Sequence, residues 1–443
     1  MNNKIFLLLG EKSAYHSSFS LARGLVDSGY DVYYLVFGME GMLIQNNGFK
    51  YHLIHPKERK RNIKNTKAFT KYYHLHQYVV NRKIEKLIVK ERPQLCIINC
   101  LNIDLCVQFL KHKIPMVNYV NELISNSTMA VPPIFSSIKP NQGSYGKVVN
   151  GLAWARVYAV WWRRKAKFKV YTYLLKRQYP FLDTYDLVKK YGGKLDFCEY
   201  GYRLRGYDYF SYPKVLDTPG RKYSDKFVFG GSHVYGGRND GNVFTIKAKA
   251  EQMIIYCSLG TWSTKHLKKK ERTRFYRQLL DVFAEQNDLY LVLSVPKQDQ
   301  FHDMFALPGR VEVHDYVPQL SVLKQCAVFI THGGISSLRE AVHAGVPMIV
   351  LPGKMDQPGN AARVECYKLG VKGKFETITS GKLTNLISHV MNDEEIKASI
   401  AHHSSVFRQE ADCTKGIKFI QNILGPPQRT DTRVKKKKIK ILQ

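Results

Sequence analysis

Short apolar runs recur along the chain, and between them apolar residues return every third or fourth position. The first run, Lys4 to Leu9, reads as a strand, and Asp31 to Phe37 as a second. Between them Phe19, Leu21, Ala22, Leu25 and Val26 share one face of a helix over Ser17 to Asp27, so the chain opens as βαβ. Lys50 to Ile54, Leu95 to Asn99 and Met116 to Val120 continue the series, with a long basic helix around Lys67 to Lys90 and a further segment over Asn102 to Leu110. The second half resumes the alternation, with strands at Met253 to Cys257, Ala327 to Thr331 and Val346 to Leu351. A helix over Ile335 to Ala344 and a terminal helix over Cys413 to Leu424 complete it. Phe229 to Asn242 is rich in glycine and polar residues and separates the halves. A chain of 443 residues with 44% hydrophobic content has room for two Rossmann-sized domains with ordinary cores.

Within this pattern, residues 327–360 carry polar groups only at the joints between elements. His332-Gly333-Gly334 is a tight turn between strand and helix, and Ile335, Leu338, Ala341 and Val342 form the helix's apolar face. A helix start without bulky caps presents free N–H groups and the positive end of the peptide dipole, which suits a phosphate. The two glycines admit an anion close to the backbone, and Ser336 and Ser337 add hydroxyls. Glu340 lies one turn beyond Ser336, where a carboxylate can accept hydrogen bonds from paired ribose hydroxyls. Asp356 and Gln357 follow the next strand at the same carboxyl edge, where open α/β sheets bind ligands. Each residue has a plainer reading alone: Tyr316 as an edge aromatic, Glu340 as a solvated charge, Asp356 as a cap. Taken in register they favour a nucleotide-phosphate site.

The run Tyr316-Val317-Pro318-Gln319, then His332-Gly333-Gly334, Ser337, Glu340, Gly345-Val346-Pro347 and Asp356-Gln357, with Ser258-Leu259-Gly260-Thr261 upstream, resembles the donor-binding signature of UDP-glycosyltransferases. These are inverting enzymes of GT-B architecture, with two facing Rossmann-like domains, a cleft between them and a C-terminal crossover helix. The resemblance covers roughly Met253 to Leu424. It implies that Tyr316 stacks on the uracil in place of the family's usual tryptophan, with Gln319 in the same uridine-facing segment. It implies that His332, the amides of Gly333 and Gly334, and Ser337 hold the diphosphate, approached by Ser258 and Thr261 from the opposite loop. Ser336 stands where the family often has asparagine. Glu340 would clamp the ribose, and Asp356 with Gln357 the transferred hexose. The implied layout is an acceptor-binding domain over 1–229, a linker over 230–246, a nucleotide-sugar donor-binding domain over 247–425, and a basic, disordered tail over 426–443. No metal and no cofactor is expected, the UDP-sugar being a co-substrate.

In the first half, Leu21-Ala22-Arg23-Gly24-Leu25, Ser28-Gly29-Tyr30-Asp31-Val32 and Arg92-Pro93 to Asn99 resemble the family's acceptor-binding domain. That register places Ala14 where the family's general-base histidine stands and Asn99 where an orienting aspartate is often found. Transfer to a hydroxyl needs a proton acceptor, and imidazole suits neutral pH. His16, two residues on, is the nearest candidate, with Asp104 to orient it; a capping or acceptor-contact role for His16 stays open. Glu11 and Glu122 are reserves. Two functions follow. One is a hexosyltransferase acting from a UDP-sugar, or a related nucleotide diphospho-sugar, on a hydroxyl of a hydrophobic or lipid acceptor, with inversion. The other is a non-catalytic nucleotide-sugar-binding or auxiliary protein.

Charge changes the picture of partners. The formal net charge is +32, and residues 123–182 contain no acid and ten Lys or Arg. Residues 154–169 set Trp154, Trp161 and Trp162 among these cations, a composition that suits an anionic membrane surface, and Lys435 to Lys438 add to it from the tail. The plainer reading makes the tryptophans core and the charges a solvated face. Nucleic acid is not expected, because no recognised binding module accompanies the charge. No stretch is long enough to span a bilayer, and Ile5 to Leu9 is too short for a secretory segment, so the expected place is the cytoplasm, peripheral on the inner face of the membrane. Eight cysteines are scattered without a histidine pattern, so a zinc site is not expected.

Overall fold

The structure, a computed structural model, describes residues 3–55, 66–124, 126–141, 143–175, 184–221, 223, 226–238, 244–260, 267–297 and 305–425. Strands are β1 (Lys4–Leu8), β2 (Asp31–Phe37), β3 (Lys50–His55), β4 (Leu95–Asn99), β5 (Met116–Val120), β6 (Lys194–Cys198), β7 (Gly201–Arg205), β8 (Tyr207–Phe210), β9 (Phe227–Phe229), β10 (Met253–Ser258), β11 (Leu289–Ser294), β12 (Val311–His314), β13 (Val328–Thr331), β14 (Met348–Val350) and β15 (Gly370–Lys372). Helices of the first half are α1 (Lys12–Asp27), α2 (Glu40–Asn46), α3 (Thr66–Glu91), α4 (Val107–Lys111), α5 (Ser144–Leu175) and α6 (Thr184–Lys190). Those of the second are α7 (Lys269–Glu285), α8 (Gln319–Leu323), α9 (Ile335–Ala344), α10 (Gln357–Cys366), α11 (Ser380–Asn392), α12 (Glu394–Gln409) and α13 (Thr414–Leu424).

The apolar runs pair into two parallel sheets, ordered β3-β2-β1-β4-β5-β8-β9 and β12-β11-β10-β13-β14-β15. The strands are apolar at successive positions because helices cover both faces of a parallel sheet. In β1, Ile5 and Leu7 enter one core cluster and Phe6 and Leu8 another; in β10, Ile255 and Cys257 separate in the same way from Tyr256. The strand order reverses between β1 and β4 in the first sheet and between β10 and β13 in the second. Loops leaving those carboxyl ends diverge and open a crevice in each domain. The cluster that holds Tyr256 also joins the domains, packing Val120, Leu123, Ile134 and Tyr212 of the first with Ile335, Leu338 and Ala361 of the second.

Three elements differ from their sequence expectations. Helix α1 begins at Lys12, five residues before Ser17. Ser17 and Ser18 resemble caps in the sequence, but their hydroxyls back-bond to the carbonyls of Ala14 and Tyr15 within the helix. The segment over Asn102 to Leu110 is helical only from Val107, because the Asn102 side chain donates to the Leu9 carbonyl and holds the preceding turn against β1. The strand over Val346 to Leu351 narrows to Met348–Val350. The last helix, α13, returns to the first domain, where Ile420 is buried in the β1 core and Ile417 packs beside it.

Candidate functional site

The loops after β10 and β13 approach each other at the carboxyl edge of the second sheet. Gly260 (φ 59°) and Gly333 (φ 82°) adopt left-handed backbone that favours glycine, and they bring the loops close enough that a Cβ on Gly260 would lie 2.9 Å from the His332 ring. His332 is half-buried, and desolvation pushes its imidazole down to about 4 against an opposing hydrogen bond with the Ser258 main chain, so it is neutral at pH 7. Gly334 caps α9 without a side chain, which leaves the first-turn amides available to an anion. Ser336 and Ser337 are half-buried in that turn. Ser258 is half-buried and its hydroxyl accepts from the Gly260 N–H at 3.4 Å. Thr261 lies outside the described residues.

Glu340 is buried, and both of its oxygens are engaged. Arg238 Nη1 lies 2.7 Å from Oε1, and Gln319 Nε2 donates to Oε2 at 2.7 Å. Gln319 also reaches the Ser337 hydroxyl at 3.5 Å, so α8 and α9 bring Gln319, Ser337 and Glu340 together. Tyr316, just before α8, is 57% exposed. Asp356 and Gln357 open α10. The Asn360 amide donates both to Asp356 Oδ2 (2.8 Å) and to the Gly333 carbonyl (2.9 Å), tying this loop to the glycine turn. Burial raises the Asp356 carboxyl to about 6, opposed by the Asn360 hydrogen bond. Gln357 Oε1 accepts from the Gly353 N–H at 2.8 Å, which shapes its own loop.

On the facing wall, His16 lies in the second turn of α1 rather than at its start. Burial first, and then the charges of Arg238 and Lys12, push it down to about 3. Asp104 is buried, its carbonyl accepts from Asn81 at 3.3 Å, and its charge is felt by the Cys106 thiol. The charges that act on His16 are those of Arg238 and Lys12, and Asp104 is not among them. Ala14 is fully buried, and the Asn99 side chain accepts from the Leu101 N–H, turning the chain after β4.

Two residues that the sequence did not single out organise the cleft. Arg339, next to Glu340 on α9, donates to Ser211 and to Asn121 Oδ1 (2.9 Å), and Asn121 accepts in turn from Ser17, one residue beyond His16. This buried chain sets α9 against α1. Arg238 is the other, and a signal for it exists: it is the single Lys or Arg in the glycine-rich stretch from Phe229 to Asn242.

A profile for the erythromycin biosynthesis protein CIII-like C-terminal domain matches residues 277–412. Oleandomycin glycosyltransferase of Streptomyces antibioticus is 29% identical over 210 residues, 47% of this chain and 47% of that protein. NDP-glycosyltransferase YjiC of Bacillus subtilis (strain 168) is 29% identical over 192 residues, 42% and 46% of the two chains. The solved glycotransferase of kitacinnamycin superposes over 96% of this chain and 100% of that one, with TM-score 0.73 and 21% identity. The fold is GT-B, and over just under half of its length the chain is similar to bacterial oleandomycin and NDP-glycosyltransferases. In these alignments it spans about half the length of the curated relatives it matches (47% and 46%). The family profile contains every site residue from Tyr316 to Gln357, whereas the likeness of fold extends across both domains. Among the described residues, no helix is long and apolar enough to cross a membrane.

Proposed function

We propose that the protein is an inverting glycosyltransferase that moves a hexose from a nucleoside-diphosphate sugar to a hydroxyl of a hydrophobic or lipid acceptor. The observation that carries this reading is Glu340: a buried carboxylate held by Arg238 and Gln319, just behind the free amides of α9 and level with the glycine turn. Paired ribose hydroxyls fit the carboxylate, a diphosphate fits the amides, and Asp356 with Gln357 stands where the hexose would lie. The Tyr316–Gln319 segment favours uridine. Relatives are named for NDP and UDP sugars, and the solved structure of VinC, with TM-score 0.62, contains DTDP. Thymidine donors therefore belong in the test.

In the proposed step the acceptor oxygen attacks the anomeric carbon from the face opposite the nucleotide. The carbon–oxygen bond to the diphosphate breaks, its electron pair leaves with the phosphate, and the acceptor's proton passes to His16. Burial and the neighbouring cations hold His16 at about 3, so the imidazole is neutral at pH 7 but a weak base as it stands. A diphosphate entering beside Arg238 offsets one of the charges that depress it and raises its basicity. The α9 amides, the neutral His332 ring and the serine hydroxyls meet the charge on the departing phosphate.

A lipid acceptor is supported by α5. Tyr145 (79%), Val148 (58%), Leu152 (65%) and Trp162 (59%) are exposed, and helical spacing puts them on one side together with exposed Arg156 and Arg163. Trp154 is core, donating to the Val131 carbonyl, and Trp161 packs against Phe197 and Tyr202. The side chains of residues 167–169 and the Lys-rich tail lie outside the described residues. Incubation with labelled UDP- and TDP-hexoses and a lipid extract tests the reading: a glycosylated lipid supports it. Ala14 and Asn99, in place of the family's catalytic pair, favour the auxiliary reading. Donor binding without turnover across a broad acceptor panel would establish that alternative.

A further inference from the structure

We propose that Arg238 is a donor-binding residue that shares its charge between two anions, holding the Glu340 carboxylate and meeting the diphosphate of a nucleoside-diphosphate sugar. The proposal rests on the donor reading above and adds to it a phosphate ligand from outside the donor domain. Arg238 is carried by the first domain: its N–H donates to the Tyr235 carbonyl, and the Tyr235 ring packs edge-on against Phe19 of α1. Its guanidinium nonetheless reaches α9 of the second domain, 2.7 Å from Glu340, and the two side chains are only 8% and 10% exposed. Its charge also acts on His16, more strongly than that of Lys12. Arg238 therefore bonds the candidate ribose clamp and acts by its charge on the candidate base, the two groups that flank the sugar–phosphate bond in the proposed transfer.

The sharing follows from charge balance. A carboxylate can accept at about four lone-pair positions, so Glu340 can begin to take ribose hydroxyls while Arg238 still holds one oxygen. A buried ion pair is costly to break when either charge is left alone. A donor avoids that cost, because it supplies hydroxyls to the carboxylate and a dianionic diphosphate to the guanidinium, whose planar fork matches phosphate oxygens. The pairing with Arg238 thus keeps Glu340 charged and aimed. The glycine-rich segment bearing Arg238 is then a contact of the donor as well as a connection between domains.

Calorimetric titration of the intact protein with UDP and with uridine separates the phosphate contribution, since both ligands carry the ribose hydroxyls. In Arg238→Gln the ratio of UDP to uridine affinity is expected to fall about ten- to a hundredfold, the size of a charge-assisted hydrogen bond, and to fall less in Arg238→Lys. The double variant Arg238→Gln/Glu340→Gln removes both charges, leaves no lone buried ion, and is expected to show the same fall in ratio. An unchanged ratio in all three variants overturns the proposal. Wild-type protein that binds neither UDP nor uridine overturns the donor reading beneath it.

Discussion

Glu340 sits where water scarcely reaches, with a cation on one oxygen and an amide on the other. Replacing it with alanine removes the proposed ribose acceptor and takes an ion-pair partner from the buried Arg238. Glu340→Ala is expected to weaken UDP binding about ten- to a hundredfold and to cost about 3–5 kcal/mol of stability; Glu340→Gln should soften both effects. Calorimetry and chemical denaturation check this, and an alanine variant with wild-type affinity would remove Glu340 from the site. His16→Ala is expected to lower turnover about 10²–10⁴-fold, as loss of a general base does, with nucleotide affinity unchanged. Equal turnover would strike His16 from the mechanism. Residues from Tyr316 to Gln357 were legible because they sit in successive βα units with fixed spacing. Arg238 stands out in its glycine-rich stretch, but its pairing was not legible, because Glu340 lies 102 residues away and only folding brings the two together.

At the scale of elements, the start of α9 concentrates the chemistry. Its bounds, Ile335–Ala344, match the sequence pattern because glycines bracket a strongly one-sided apolar run. The start of α1 does not, since a serine hydroxyl can cap a helix or bond back within it, and the sequence does not distinguish the two. A Cβ on Gly333 would meet a left-handed φ of 82° and the Val350 side chain at 2.6 Å. Gly333→Ala is therefore expected to lose about 1–3 kcal/mol of stability and to weaken UDP more than uridine, because the turn amides shift. A variant that melts and binds like wild type would show that the turn is not the phosphate mouth. Tertiary ties such as Arg339 to Asn121 were invisible in the sequence, where an arginine on a helix reads as solvated.

For the whole molecule, desolvated imidazoles set the response to acid. Burial depresses His16 and His233 to about 3 and His332 to about 4, below their ordinary 6.5. The unfolded chain binds protons there first, so this stability is complete above about pH 6.5 and is lost as pH falls towards 4. Asp356, raised from 3.8 to about 6, acts in the opposite sense, contributing below 3.8 and losing that contribution as pH rises through 6. Three imidazoles outweigh one carboxyl, and the melting temperature is expected to be lower near pH 5 than near pH 7. A higher one would contradict the burial described here. The α5 face predicts sedimentation with anionic but not neutral vesicles, weakened by salt and by Leu152→Ser/Trp162→Ser. Binding indifferent to lipid charge would remove the membrane from the account. The central claim is the donor site itself, and titration of the intact protein with UDP, TDP and their hexose conjugates in a calorimeter reads it most directly. The account predicts saturable one-to-one binding of at least one of these nucleotides, reduced in Glu340→Ala; no heat of binding from any of them would contradict it.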